Sequence, residues 1–187
     1  IGLSMNLTNG FAGQFSLGQA GFMAVGAYVV GVFTVPVDLR PNVFYAVPMN
    51  PMIADIQLPL WLALLFGGLL AALIAFLIGW PVLRLRGDYL AIATLGFSEI
   101  IRILITNAQS WTNGALGIKD ITALNDVRYI FIATAITFLF VTCLINSSYG
   151  RAFKAIREDE IAAEAMGVGL FKHKCMAFML SAFFAGI

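Results

Sequence analysis

The chain has 187 residues, of which 60% are hydrophobic and 11% charged, with a mean hydropathy of +0.91, whereas soluble domains run at about 45–50% apolar and 25% charged. This composition predicts a protein that lives in a lipid bilayer. Eleven basic and ten acidic side chains leave a net charge of +1; there is no broad basic surface for nucleic acid, and no nucleic-acid partner is expected.

Residues 1 to 37 carry no charged side chain, a run too long for one span of about 20 residues and too short for two. We expect the end of one helix over 1–12, a turn near Gly10 to Gly13, and a full helix from about 15 to 36. Five of the six prolines fall between Pro36 and Pro59, among Asp38, Arg40 and Asp55, which predicts an irregular loop outside the membrane. "LWLALLFGGLLAALIAFLIGWPVL", residues 60–83, is an uncharged span. A third apolar segment, Tyr89 to Asn107, contains Glu99 and Arg102, and after a turn-rich loop (108–126) residues 127–147 span again. Residues 151–174 then hold nine of the 21 charged side chains, and a last apolar segment begins near Cys175. The fold class is therefore all-α: a polytopic integral membrane helical bundle of about five to six membrane segments, forming one domain over 1–187.

The chain opens and closes inside hydrophobic sequence, without an initiating Met and without a basic residue before Arg40. It lacks the charged start of a signal peptide and reads as a piece of a longer protein. Cys143 and Cys175 lie in or beside apolar runs without metal-ligand spacing and are expected to be small buried hydrophobes.

Alternating the spans places Arg84, Arg86, Arg151, Lys154, Arg157, Lys172 and Lys174 on one side and Arg40, Lys119 and Arg128 on the other. Positively charged loops remain cytoplasmic, so 151–174 is expected in the cytoplasm, provided that 89–107 crosses completely. Ala20, Ala24, Ala27 and Gly31, and with the same spacing Gly68, Ala72, Ala75 and Gly79, predict two seams of close helix packing in lipid.

Catalysis by this chain is not expected. The one histidine, His173, lies in the charged loop, and "GFSEI" lacks the second glycine of a nucleophile elbow. The chain has neither HExxH nor a glycine-rich phosphate loop, so any ATP would be bound by another subunit. Glu99 and Arg102 are the exceptional pair. An ionised group at bilayer depth costs about 2.5–3.5 kcal/mol and faces protein or a water-filled cavity, and Glu99 lies 11 residues beyond Asp88, roughly 16 Å along a helix. At i and i+3 the two can pair, either to make insertion tolerable or as part of a translocation path. Asn6, Asn9, Gln14, Ser16 and Gln19 offer uncharged hydrogen-bonding groups near the first turn, to bind a polar substrate or to hold the turn itself.

Ala152 to Met166 reads as a short helix of about 15 residues, closed by Gly167 and Gly169. Glu158, Asp159, Glu160 and Glu164 surround alanines 162, 163 and 165. Bare small-residue surface between charges suits docking into a partner's groove.

These residues resemble a known family. "GRAFKAIREDEIAAEAMGV" is similar to the cytoplasmic motif of permease subunits of ABC importers, particularly the branched-chain amino acid type; "RLRGDYLAIATLGFSEIIRIL" (84–104) and "LTNGFAGQFSLGQAGFMAVGAY" (7–28) resemble two further signatures, in family order. The resemblance implies a multi-pass subunit of the prokaryotic cytoplasmic (inner) membrane that pairs with a second, related permease. It also implies two ATP-binding cassette ATPases, which hold the ATP and Mg while this chain binds no cofactor, and an extracytoplasmic substrate-binding protein. By resemblance 151–174 is a coupling loop that enters a cleft on the ATPase, with Arg157, Glu158, Asp159, Glu160, Ala162, Ala163, Glu164 and Gly167 as its coupling residues and alternating access as the mechanism. In the general importer motif Glu-Ala-Ala is followed by three residues and Gly; here Ile161 stands at the Glu position and Glu160 one residue earlier. Aliphatic amino acids are the expected substrates, with urea, short amides or other amino acids as the alternative within the family and an ATPase-independent channel or secondary transporter outside it.

Overall fold

The computed structural model describes residues 1–44, 49–50, 56–85, 87–118 and 127–187, and among these every regular element is helical. A short helix α1 (Gly2–Met5) runs into a π-helical turn, Asn6–Phe11. There follow α2 (Gln19–Thr34), α3 (Arg40–Val43), α4 (Leu60–Val82), α5 (Asp88–Asn107), α6 (Gln109–Thr112), α7 (Val127–Asn146), α8 (Ser148–Glu158), α9 (Glu160–Ala165) and α10 (Leu170–Gly186). Leu60–Val82 and Tyr89–Asn107 are each long and apolar enough to cross a bilayer alone, and α7 reaches α8 through a bend of 71°. The described helices fit an all-α membrane bundle.

Polarity is inverted relative to a soluble protein. Trp61, Leu69, Leu77, Ile92, Leu104, Phe131 and Leu139 are exposed along α4, α5 and α7, while Ser4, Thr8, Gln14, Ser16, Gln19, Thr94 and Ser181 are buried. Apolar surface on this scale fits a hydrocarbon solvent, where polar groups are satisfied only by turning inward to one another.

α4 is the centre of the bundle. Ala63, Gly67, Ala71, Ala75 and Gly79 recur every fourth residue on its buried face, against which α2 and α10 pack, with Phe22 and Phe178 meeting edge to face at 5.4 Å. The closest approach is a three-helix crossing of glycines: a Cβ on Gly26 would lie 2.0 Å from the Gly186 carbonyl oxygen, and one on Gly67 3.2 Å from the Gly26 oxygen.

Several boundaries differ from the sequence reading. α2 begins at Gln19 rather than near 15, because residues 13–18 form a non-helical segment with Gln14, Ser16 and Gly18 buried and Gly13, Phe15 and Leu17 exposed. Its packing seam uses Gly21, Gly26 and the expected Gly31, whereas Ala24 is half-buried and Ala20 and Ala27 are exposed. On α4, Gly68, Ala75 and Gly79 are buried and Ala72 only half so. α10 starts at Leu170, taking Lys172, His173 and Lys174 into its first turns.

The ends of the bundle are chemically distinct. At one, Trp80 meets Phe171 at 6.4 Å and the Leu17 N–H donates to Thr94 Oγ1. At the other, Val35, Val43 and Phe44 cluster with Met49 and Ile118; Arg40 donates to the Val35 and Ile56 carbonyls, and Asn113 donates to that of Val43. α5 runs uninterrupted between them, about 30 Å for 20 residues, a length sufficient for a complete crossing. Asp55, Arg86, Lys119, Pro48 and Pro51 lie outside the described residues.

Candidate functional site

Residues 148–168 build a charged hairpin on the end of α7. Ser147 caps α8, its Oγ accepting from the Gly150 N–H at 3.5 Å and donating to the Leu144 carbonyl at 2.5 Å. α8 is amphipathic: Phe153 and Ile156 are buried, while Arg151, Lys154, Arg157 and Glu158 are exposed. The single helix expected over 152–166 is in fact two, because Asp159 takes an extended conformation (φ −156°, ψ 112°) and its carboxylate accepts from the Ile161 and Ala162 N–H groups at 2.8 and 3.1 Å. This is an N-cap, and aspartate is among the best residues for it. The far end closes as foreseen, in a Schellman motif: Gly167 has φ +85°, its N–H donates to Glu164 O at 2.9 Å, and the Val168 N–H donates to Ala163 O at 3.0 Å.

The surface so presented combines acid and grease. Ile161 is 76% and Met166 85% exposed, beside exposed Ala162, Glu164 and Ala165, whereas Ala163 is buried. Ile161 and Met166 are the residues the sequence reading missed; the available signal was a large hydrophobe inside a charged run. Glu160 reaches back to α10, its Oε1 2.6 Å from Lys174 Nζ, and the lysine is nearly buried. Glu160→Ala strands that ammonium and should lower the melting temperature of the purified permease by a few degrees, about 1 kcal/mol or more, whereas adding Lys174→Met should restore most of the loss. Equal melting of wild type and Glu160→Ala would show that the pair does not anchor the hairpin.

Behind the hairpin lies the turn Ala12–Gly18, whose alternate residues Gln14, Ser16 and Gly18 are buried. Gly13 reverses the chain at φ +65°. The Gln14 N–H then donates to Thr8 O at 3.0 Å, and the Ser16 N–H to Asn9 Oδ1 at 3.1 Å. Gln19 Nε2 donates to Ser181 Oγ at 2.8 Å and to Thr8 Oγ1 at 3.4 Å, and Ser181 Oγ in turn donates to Ser4 O at 2.5 Å. The structure thus gathers Gln14, Ser16 and Gln19 with Ser4, Thr8, Thr94 and Ser181, hydroxyls the sequence reading passed over; Asn6 is exposed and stands apart. Gln14 is 3% exposed, yet neither atom of its carboxamide meets a protein partner, and Gln19 Oε1 is likewise unmatched. A buried amide in that condition costs about 1–3 kcal/mol.

Glu99 and Arg102 do pair, Oε2 to Nε at 2.8 Å, but on the outer face of α5, where they are 54% and 67% exposed. The inward face of that helix carries Leu90, Ala91, Thr94 and Ile101. The ion pair and the glutamine cluster are therefore separate features.

Comparison with known proteins completes the picture. The family described as "Branched-chain amino acid transport system / permease component" matches residues 1–187. The chain is 35% identical over its whole length to the high-affinity branched-chain amino acid transport system permease protein LivM of Escherichia coli, and 29% identical over 92% of its length to a probable LivM of Methanocaldococcus jannaschii. It is 22% identical over 94% of its length to the nucleoside ABC transporter permease protein NupC of Lactococcus lactis. It spans 47% of the Escherichia coli protein and 57% of each of the other two, about half the length of the curated relatives it matches. No solved structure matches it. An inverted-polarity helical bundle with three family signatures in order, matched from end to end, belongs to the branched-chain amino acid transport permease family.

Proposed function

We propose that this chain is part of the membrane permease of an ATP-driven importer that moves branched-chain, aliphatic amino acids by alternating access. Two ATPase subunits bind the ATP and Mg and grip the α8–α9 hairpin; a second permease and an extracytoplasmic binding protein complete the assembly in a prokaryotic inner membrane. The observation that carries this reading is the hairpin itself, an exposed apolar tip ringed by acids on a chain of this family. Within it Asp159, Glu160, Ala163 and Gly167 hold the shape and Arg157 turns back toward Gly10 and Gly13, while Glu158, Ala162 and Glu164, with Ile161 and Met166, face the partner. Closure of the ATPases shifts the hairpin, and the energy passes by its differential affinity for two states. Gln14, Ser16 and Gln19 line the path from the cytoplasmic end. Glu99 and Arg102 face the second permease across it, since an ion pair at that depth needs protein or water against it.

The test is uptake into proteoliposomes holding the full-length permease with its companion permease, ATPases and binding protein. Labelled leucine should accumulate only with ATP inside the ATPase-bearing compartment. Uptake that persists without the ATPases would establish a channel or secondary transporter, and labelled urea carried in place of leucine would move the substrate to the amide class.

A further inference from the structure

α8 is fastened to the first turn of the chain at three points. Arg157 Nη1 donates to the Gly10 carbonyl at 3.0 Å across 147 positions of sequence. A Cβ on Gly13 would lie 2.9 Å from Arg157 Cγ and 3.1 Å from its Cα, so the arginine backbone rests directly on the glycine. Phe153, one turn earlier, is completely buried in a cluster with Leu7 and Ala12. Leu7 lies at the start of the π-helical turn and Ala12 just past its end, and Gln14 follows. Gly13 meets two demands that no other residue meets together, a positive φ and no side chain under Arg157.

The turn on the other side of this joint holds a buried polar group with no protein partner. The Gln14 carboxamide is unmatched by any protein group, and unsatisfied buried groups in native structures mark stored strain or an alternative arrangement. α8 cannot shift while this turn stays still, because a carbonyl, a bare glycine and an aromatic anchor all tie the two together.

We propose that the turn Gly10–Gly18 is the receiving element of the hairpin, that Arg157 is the positioning residue seated on Gly13, and that displacement of α8 moves the turn and gives the Gln14 carboxamide new partners. The inference rests on the reading of α8–α9 as the ATPase contact and adds the place inside the membrane where the motion arrives.

A double-mutant cycle on the complete reconstituted transporter tests it, with Gly13→Ala, Arg157→Ala and the double variant, read as substrate transported per ATP hydrolysed. Each single change should lower that ratio about tenfold, and the double should fall by clearly less than the product of the two, because alanine at 157 removes the Cγ that a Cβ at 13 meets at 2.9 Å, although the Cα and Cβ of residue 157 stay in contact. Strain from alanine at positive φ is common to both backgrounds and cancels. Effects that multiply would overturn the joint. Hydrogen exchange on the wild-type complex checks the same motion without a substitution. Peptides covering residues 8–19, whose Gln14, Ser16 and Leu17 amides are bonded here, should change their exchange between nucleotide-free and ATP-analogue-trapped states, and identical exchange would overturn the proposal. If ATPases are absent from the purified wild-type complex, the docking reading fails and the joint with it; ATPases present with multiplicative effects sinks the joint alone.

Discussion

Ile161→Asp combined with Met166→Asp is expected to strip the ATPases from the purified permease and to reduce ATP-driven uptake to the level of vesicles without ATPase. Both side chains are almost entirely exposed, so neither change disturbs packing within the chain, and the thermal stability of the permease should be unaffected. A large apolar side chain that fills a partner's pocket is commonly worth about 2 kcal/mol or more, and a carboxylate in its place adds the cost of burying a charge. Two such losses, even if less than additive, reach about a hundredfold or more in affinity. Glu164→Gln, on the acidic rim, should instead alter mainly the association rate and its salt dependence. Quantitative pull-down of the ATPases reads both effects. Full retention by the double variant would place the contact elsewhere on the chain.

Gly26→Val is the change expected to do most damage to the fold. The built Cβ falls 2.0 Å from the Gly186 carbonyl oxygen, 2.4 Å from its Cα and 2.5 Å from its carbonyl carbon, all backbone atoms that no rotamer change can move aside. α2 and α10 would have to separate, which also opens their shared contact with α4 at Gly67. Overpacking alone costs about 1–3 kcal/mol, and in lipid the loss of close van der Waals approach is not offset by a hydrophobic gain. Size-exclusion profiles of the full-length permease in detergent should show aggregated or absent protein. Gly96→Ala is the matched comparison, also in a membrane helix but with nothing within 4 Å of the added Cβ, and its profile should be that of wild type. A normal profile for Gly26→Val would mean that the glycine crossing does not hold the bundle together.

The spans were legible because a mostly apolar run of about twenty residues is a signal carried by composition alone: α4, α5 and α7 stand within a residue or so of the expected bounds. The hairpin segment was legible as a concentration of charge, and Gly167 as its end, since a left-handed closing residue is nearly a property of glycine. Asp159 as a break was not, although the residue is a good cap, because the residues around it are helix formers and the choice between one helix and two depends on what Glu160 and Lys174 do in space. The seam on α2 was misplaced for a related reason. Small residues lie on every side of that helix, and only Phe22, Val25 and Val32, through their fit against α4 and α10, decide which side is inward. Gln14, Ser16 and Gln19 were visible as polar residues in an apolar run. Their union with Ser181 and the contact between Gly13 and Arg157 depend on segments more than 140 positions apart, and local pattern has no access to that.

The 71° bend between α7 and α8 has a mechanical consequence. α8 crosses the end of the bundle as an arm of 11 residues, about 16 Å, with its root at Ser147 and bearings on the first turn at Phe153 and Arg157. A lateral force on such an arm acts on α7 as on a crank: over that length a displacement of about 3 Å corresponds to a rotation of roughly 10°, so if the ATPases dock on the hairpin as proposed, their stroke reaches the bundle as torque.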